Sequence, residues 1–254
     1  MIYAAAAFVV LAFYLCCIWP TRWVDVRRVA HGGKLGKRVF QISDLHVERL
    51  RVSAETLRRL IVREQPDLIV LTGDYTERER HLPKVDAYLS AIRSTGVPTY
   101  AVLGNHDYRL RDRLPKLVEL FRRHGIPLLR NGSVDLSYCR LVGIDDDHTG
   151  MSRVGKAFRN VREGEAVVVI THDPTVTLKL KRPYYYLMSG HFHGGQFRLP
   201  FVFRWRKKGP LPLRGIVRGL HRDERGTFYI SKGLGQTSIN ARFLIRCEVT
   251  VHDL

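Results

Sequence analysis

The chain has 254 residues, enough for one large domain or two small ones. Its 45% hydrophobic and 26% charged residues are an ordinary globular balance, and its four cysteines contain no Cys-x-x-Cys pair, which excludes a cysteine zinc motif and leaves no disulfide framework. Lys and Arg number 42 against 24 Asp and Glu, a net charge of +18, which favours polyanionic partners: phosphorylated substrates, anionic lipid or nucleic acid.

From Ile2 to Trp19 the chain carries no charge, and Pro20 closes the run. That length is just sufficient to span a bilayer as a helix. No Lys or Arg precedes it, whereas Arg22, Arg27, Arg28, Lys34, Lys37 and Arg38 follow against Asp25 alone. Positive charge on that flank predicts that everything after the run lies in the cytoplasm. Trp19 and Trp23 suit the membrane interface. The predicted organisation is a transmembrane anchor at 1–20, a basic juxtamembrane linker at 21–38 and one domain at 39–254.

In the body, short apolar runs alternate with helical patterns. Arg38 to His46 is strand-like and ends in Asp44 and His46. Ser53 to Gln65 reads as a helix capped by Ser53, with Leu57, Leu60 and Ile61 on one face and Pro66 beyond its end. Asp67 to Asp74 is a buried-type strand with an acidic tip. Val85 to Ser94 is helical, Val97 to Leu103 a strand that runs into Gly104-Asn105-His106-Asp107, and Arg111 to His124 helical. Later strands are predicted at Leu141–Ile144, at Ala166 to His172, at Tyr184 to Met188, at Phe228–Ser231 and at Leu244–Val251. This alternation predicts an α/β protein, and polar residues gather where α/β sheets place ligands, at the carboxyl ends of strands.

Those tips present Asp44, His46, Asp74, Asn105, His106, His172, His191 and His193. A single Asp at such a junction is ordinary turn chemistry. Five tips bearing carboxylates, a carboxamide and imidazoles are better explained by a cation among them, because buried groups of this kind are costly without one. The pair His191 and His193, at i and i+2 between glycines, points both rings into one site if the backbone is extended. Mixed Asp, Asn and His donors suit first-row divalent metals.

The motifs Asp44-Leu-His46, Gly73-Asp74, Gly104-Asn-His-Asp107, Thr171-His172 and Gly190-His-Phe-His193 stand in an order that strongly resembles the calcineurin-like metallophosphoesterase family. The resemblance runs from about Val39 to the carboxyl end. It implies a four-layer α/β/β/α metallophosphoesterase sandwich behind the transmembrane helix. It implies two divalent metal ions: one held by Asp44, His46, Asp74 and His193, the other by Asp74 as bridge with Asn105, His172 and His191. His106 would serve the leaving group, oriented by Asp107. Manganese is the leading metal, with iron, zinc or magnesium as alternatives.

The apolar run, His193-Gly-Gly-Gln196 and Ser231-Lys-Gly-Leu-Gly235 further resemble the membrane-anchored bacterial branch, which includes phosphodiesterase-like proteins and enzymes similar to UDP-2,3-diacylglucosamine pyrophosphatases of lipid A synthesis. The expectation is a hydrolase of the bacterial inner membrane, single-pass with its catalytic domain cytoplasmic, that cleaves a phosphodiester or pyrophosphate in a lipid-linked substrate. A nuclease or general phosphodiesterase is the alternative, because the charge also suits nucleic acid. A non-catalytic scaffold would be expected to lack ligands that are all filled here. No obligate protein partner is evident. The basic stretch from Phe201 to Arg218 reads either as a solvated or lipid-facing surface or as a pocket rim.

Overall fold

The computed structural model describes residues 1–197 and 209–254. The strands show why the body is layered. In β2 (Arg38–Ile42) Val39 faces one apolar cluster while Phe40 and Ile42 face another. In β3 (Leu68–Thr72) Leu68 and Val70 join the first cluster, and Ile69 and Leu71 the second. Alternate side chains leave opposite faces of a strand, so a run apolar throughout must be covered on both sides.

One sheet has the order β1-β11-β2-β3-β4, completed by β1 (Val24–Ala30), β4 (Thr99–Val102) and β11 (Cys247–Asp253). The other has the order β5-β6-β7-β8-β10-β9. Its members are β5 (Gly132–Asp135), β6 (Arg140–Gly143), β7 (Val167–Ile170), β8 (Tyr186–Ser189), β9 (Gly219–Arg222) and β10 (Thr227–Ile230). Val39, Val70 and Val102 of the first sheet meet Leu141, Val168, Ile170, Tyr186 and Met188 of the second in a shared core. Helices α2 (Ala54–Glu64), α3 (Leu82–Arg93) and α4 (Leu114–Arg123) cover the outer face of the first sheet through Leu57, Ile61, Leu89, Ile92 and Phe121. Ala157, Phe158 and Val176 help cover the second. The result is the expected α/β/β/α sandwich.

Local chemistry sets the helix ends. Ser53 caps α2 by accepting the Thr56 backbone N–H at 3.1 Å, and Gln65 ends it in the left-handed conformation. Parallel pairs β2–β3, β3–β4, β7–β8 and β8–β10 send their carboxyl ends the same way within each sheet. The loops after these strands form the functional site.

Residues 24–30, within the stretch predicted as a linker, instead form β1, which runs parallel to β11 from Val24↔Cys247 to Ala30↔Asp253. Val24 and Val26 pack on the helix-side core and Val29 enters the core between the sheets. Arg28 is ion-paired with Glu64 at 2.7 Å. The charges on β1 disguise a strand because an edge strand with exposed positions tolerates them.

The apolar run folds as α1 (Ile2–Phe13), a π-helical turn at Tyr14–Ile18 and a 3-10 turn at Trp19–Arg22. Together Ile2–Arg22 makes 21 helical residues. At about 1.5 Å per residue such a helix roughly matches a hydrocarbon core of about 30 Å. By length and composition it is a candidate membrane span. Its far end is tied to the body: Arg242 N donates to Cys17 O at 2.9 Å and Arg51 Nη1 to Thr21 Oγ1 at 2.8 Å, with Thr21 fully buried.

Candidate metal centre

Each expected ligand leaves the end of a strand in a tight loop. The loop after β2 carries Asp44 and His46, the loop after β3 Asp74, the loop after β4 Asn105 and His106, the loop after β7 His172, and the loop after β8 His191 and His193. Asp44, His46, Asp74, His191 and His193 all have φ between 39° and 74°, the left-handed region. Non-glycine residues rarely adopt it, at a cost of order 1–3 kcal/mol each, and such strain gathers at functional sites. The extended i, i+2 geometry predicted for His191 and His193 is therefore replaced by turns. In consequence His191 and His193 face different halves of the site.

In one half, His46 Nε2 lies 3.2 Å from His193 Nε2 and 3.3 Å from Asp74 Oδ2, and His193 Nε2 lies 3.4 Å from Asp44 Oδ1. One ligand atom from each of these four buried residues falls within 4.8 Å of the rest. In the other half, His172 Nε2 lies 3.2 Å from Asp74 Oδ2 and 3.1 Å from Asn105 Oδ1, and His191 Nδ1 is 3.0 Å from Asn105 Oδ1. Asp74 Oδ2 is the common corner. The other oxygen, Oδ1, accepts the backbone N–H of His106 at 2.8 Å.

The donor set fits divalent metal. His172 Nδ1 sits 2.8 Å from Thr72 O, so Nδ1 carries the donated proton and Nε2 is left facing two oxygens. Electron pairs on nitrogen and oxygen at these distances need positive charge between them. The buried carboxylates and imidazoles also shift one another's titration. Burial disfavours the charged carboxylates of Asp44 and Asp74, yet neighbouring imidazoles outweigh it and hold both below their ordinary range. Burial likewise works against charge on His46 and His172, and the carboxylates still pull both upward. Burial dominates at His191 and His193, which fall to about 4 and about 3. A buried Asp/His cluster of this kind suggests divalent metal ions.

Glycines let the loops meet. A Cβ on Gly190 would sit 1.9 Å from Ser43 Oγ and 2.3 Å from Asp44 Oδ2, and one on Gly104 would sit 2.3 Å from Asp74 Oδ1. These are the close approaches for which only glycine has room.

Asp107 does not orient the His106 ring. Its Oδ1 accepts the backbone N–H of Tyr75 and Thr76, and its Oδ2 those of Asp74 and Gly104, at 2.7–3.2 Å. Four donors occupy the lone-pair directions of both oxygens, so Asp107 instead clasps the β3 and β4 loops together. Burial, joined by the Asp74 charge, pushes its carboxyl up to about 7 against the pull of those donors. The His106 ring is met by Glu77, with Oε2 at 3.1 Å from Nδ1, and the same oxygen accepts Arg109 Nη1 at 2.8 Å. Glu77 was not picked out in the sequence, although it stands only three residues after Asp74.

Arg242 is buried and donates to the carbonyls of Lys232, Gly233, Gly235 and Arg246, so it shapes the loop beside the site and cannot reach a substrate. His148 is exposed but stands 5.2 Å ring to ring from His191. Of the basic stretch 201–218, Arg204, Arg206, Lys207 and Lys208 lie outside the described residues.

A family model described as calcineurin-like phosphoesterase matches residues 37–195. The chain belongs to the calcineurin-like phosphoesterase family. It is 38% identical over 224 residues to the uncharacterized metallophosphoesterase YkoQ of Bacillus subtilis, covering 85% of this chain and 83% of that protein. It is 27% identical to the phosphodiesterase YaeI of Escherichia coli, over 85% of this chain and 82% of that one. A transmembrane protein with metallophosphoesterase domain from Danio rerio is 27% identical, over 85% of this chain and 52% of that protein. As a calcineurin-like phosphoesterase the chain is a hydrolase, and its two donor sets make a possible dimetal site.

Proposed function

We propose that the chain is a two-metal phosphohydrolase that cleaves a phosphodiester or pyrophosphate bond at a membrane surface. The observation that carries this reading is the position of Asp74 Oδ2, 3.3 Å from His46 Nε2 and 3.2 Å from His172 Nε2, shared by both donor sets. Asp44, His46, Asp74 and His193 would hold one ion, and Asp74, Asn105, His172 and His191 the other. The mixture of oxygen and imidazole donors without thiolate fits manganese, with iron, zinc or magnesium as alternatives. Such a pair, when bound, supplies positive charge to the phosphate oxygens and lowers the pKa of water in the site.

The chain's own residues do the rest. His106 keeps Nδ1 on Glu77, so Nε2 is the ring nitrogen left for chemistry: the imidazolium form gives its Nε2 proton to the leaving oxygen and is left as the neutral ring with Nδ1–H on Glu77. Asp107 fixes the two loops that carry Asp74, Asn105 and His106 at one separation. The left-handed turns hold the donors in place before substrate arrives, which is the preorganisation that electrostatic catalysis requires.

The membrane reading is supported by the exposed apolar helix and by the basic flank after it. The name of the fish relative, a transmembrane protein with metallophosphoesterase domain, accords with it. The organisation is a single-pass anchor over residues 1–20, in the bacterial inner membrane, with the catalytic body in the cytoplasm. The substrate is then lipid-linked, with UDP-2,3-diacylglucosamine as the specific candidate.

The test is a panel on the full chain in detergent with added Mn²⁺: an aryl phosphodiester, UDP-2,3-diacylglucosamine and single-stranded DNA. Preference for the glycolipid by kcat/KM supports the lipid-linked substrate. Preference for DNA replaces it with a nuclease, and no turnover of any of the three contradicts the reading. Protease treatment of sealed inner-membrane vesicles reads the orientation, and cleavage of the body only from the periplasmic face reverses it.

A further inference from the structure

A cleft of about 530 Å³ opens beside the metal centre, between the carboxyl side of β10 and the edge strand β1. Its charged lining is Arg27, Arg218, Lys232 and Arg246 against Asp25 and Glu248. The acids are already matched: Lys232 Nζ lies 3.1 Å from Asp25 Oδ2 and 2.8 Å from Glu248 Oε2. Among the described residues Arg27 and Arg246, both exposed, make no ion pair. A concave wall with two guanidinium groups beyond those needed to balance its carboxylates is suited to an anion. Guanidinium recognises phosphate well, because its planar fork can donate two hydrogen bonds at once.

The cleft is separate from the metal centre yet built on its back wall. Gly194, next to His193, packs on the Lys232 stem and accepts Arg218 Nη1 on its carbonyl at 3.0 Å. Gly233, which follows Lys232, lies against the Asp44 side chain.

Position relative to the apolar helix indicates the source of the anion. Strand β1 starts two residues after that helix ends at Arg22, so Asp25 and Arg27 are among the first residues to leave it. The opposite rim belongs to the segment whose Arg242 N donates to Cys17 O. On that segment Leu244 is 69% exposed with φ 56°, and Ile239 is 49% exposed. Apolar side chains held outward beside the apolar helix, next to arginines that make no ion pair among the described residues, match the chemistry of a bilayer surface, where anionic lipid attracts basic groups.

We propose that this cleft binds the phosphate group of an anionic phospholipid through Arg27 and Arg246. The site lies apart from the metals and seats the enzyme at the headgroup level. The lipid source rests on the membrane reading above, whereas binding of phosphate rests on the cleft alone.

The experiment uses the full chain in a non-ionic detergent and reads its melting midpoint. Dihexanoyl phosphatidylglycerol, dihexanoyl phosphatidylcholine and inorganic phosphate are titrated separately. Phosphatidylglycerol at ten times its dissociation constant should raise the midpoint by about 3–6 °C. Phosphatidylcholine should not, and the rise should vanish in Arg27→Ala/Arg246→Ala and survive in part in Arg27→Lys/Arg246→Lys. Hydrolysis of a soluble diester should be unchanged in the alanine pair, which also shows that it is folded. An equal rise with inorganic phosphate keeps the phosphate site and overturns the lipid source. No rise, or the same rise in the alanine pair, overturns the proposal. Asp74→Asn separates the two sites: its response should persist even if the two-metal reading fails, and loss of the response there would place the anion at the metal centre instead.

Discussion

Glu77 Oε2 stands 3.1 Å from His106 Nδ1, and Arg109 Nη1 holds the same oxygen at 2.8 Å. Arg49 Nη2 lies 3.5 Å from the other oxygen, so a guanidinium group reaches each oxygen of Glu77. Burial would raise the Glu77 carboxyl, but the Arg109 hydrogen bond and the charges around it hold it below the ordinary range. An ionised carboxylate on Nδ1 sets the tautomer and aim of the other ring nitrogen.

Glu77→Ala should therefore lower kcat by about 10–100-fold with metal content unchanged. His106→Ala should lower it by about 10²–10⁴. The double variant should resemble His106→Ala alone, because residues that act as one unit are not additive. Steady-state kinetics on aryl diesters with leaving groups of graded acidity checks this: the loss should shrink as the leaving group becomes more acidic. Multiplicative effects in the double variant would show that Glu77 does not act through His106.

Gly190 is the tightest backbone contact of the site. In Gly190→Ala the new methyl would overlap Ser43 Oγ and Asp44 Oδ2 unless the β2 and β8 loops part. Overpacking of this kind typically costs about 1–3 kcal/mol. The expected outcome is a modest loss of stability with a large loss of metal, read by melting and metal analysis of one preparation. Retention of metal at parent affinity would show that metal binding does not depend on the close packing of Gly190 against Asp44.

Truncation should divide the amino-terminal region at Cys17. Removing residues 1–13 takes away the exposed helix and leaves the bonds of Cys17 and Thr21 to Arg242 and Arg51. That variant should leave the bilayer fraction, fold, and hydrolyse a soluble diester at near parent rate, while turnover of bilayer-embedded substrate falls further. Removing residues 1–30 deletes β1, exposes β11 as a new edge and strips Val24, Val26 and Val29 from two cores. It should melt well below the shorter truncation or fail to fold. Equal melting of the two would show that β1 contributes nothing to the body.

The sequence made the central layers readable because their signals are local. Asp67 to Asp74 is apolar over the four consecutive positions Leu68 to Leu71, a pattern that fits a strand covered on both faces, and Ser53 announces a helix by its cap chemistry. Strands β5 and β9 lie at sheet edges, where partly exposed positions dilute the apolar pattern, and β1 was hidden the same way by Arg27 and Arg28. Of the site, the chemistry of the strand tips was readable, since carboxylates and imidazoles recur there. The partner of His106 was not. Asp107 is adjacent in sequence, but its reach is taken up by four backbone donors, and only the fold brings Glu77 across from the β3 loop. The same applies to the left-handed turns at His191 and His193, which send neighbouring imidazoles to opposite halves.

Asp74 Oδ2 lies within 3.3 Å of an imidazole nitrogen in each donor set, so on the two-metal proposal both ions should depend on it. The most direct measurement is metal content per chain with phosphodiester hydrolysis on the same samples, for the parent and for Asp74→Asn. Asn accepts the left-handed backbone that Asp74 adopts at φ 60°, so the variant should keep the fold. The parent should hold about two divalent ions and lose activity to a chelator in step with them, as a two-metal clamp requires. The variant should lose metal and activity together at an unchanged circular dichroism spectrum. Two ions held at parent affinity in a folded Asp74→Asn protein, or hydrolysis that survives complete removal of metal from the parent, would contradict that proposal.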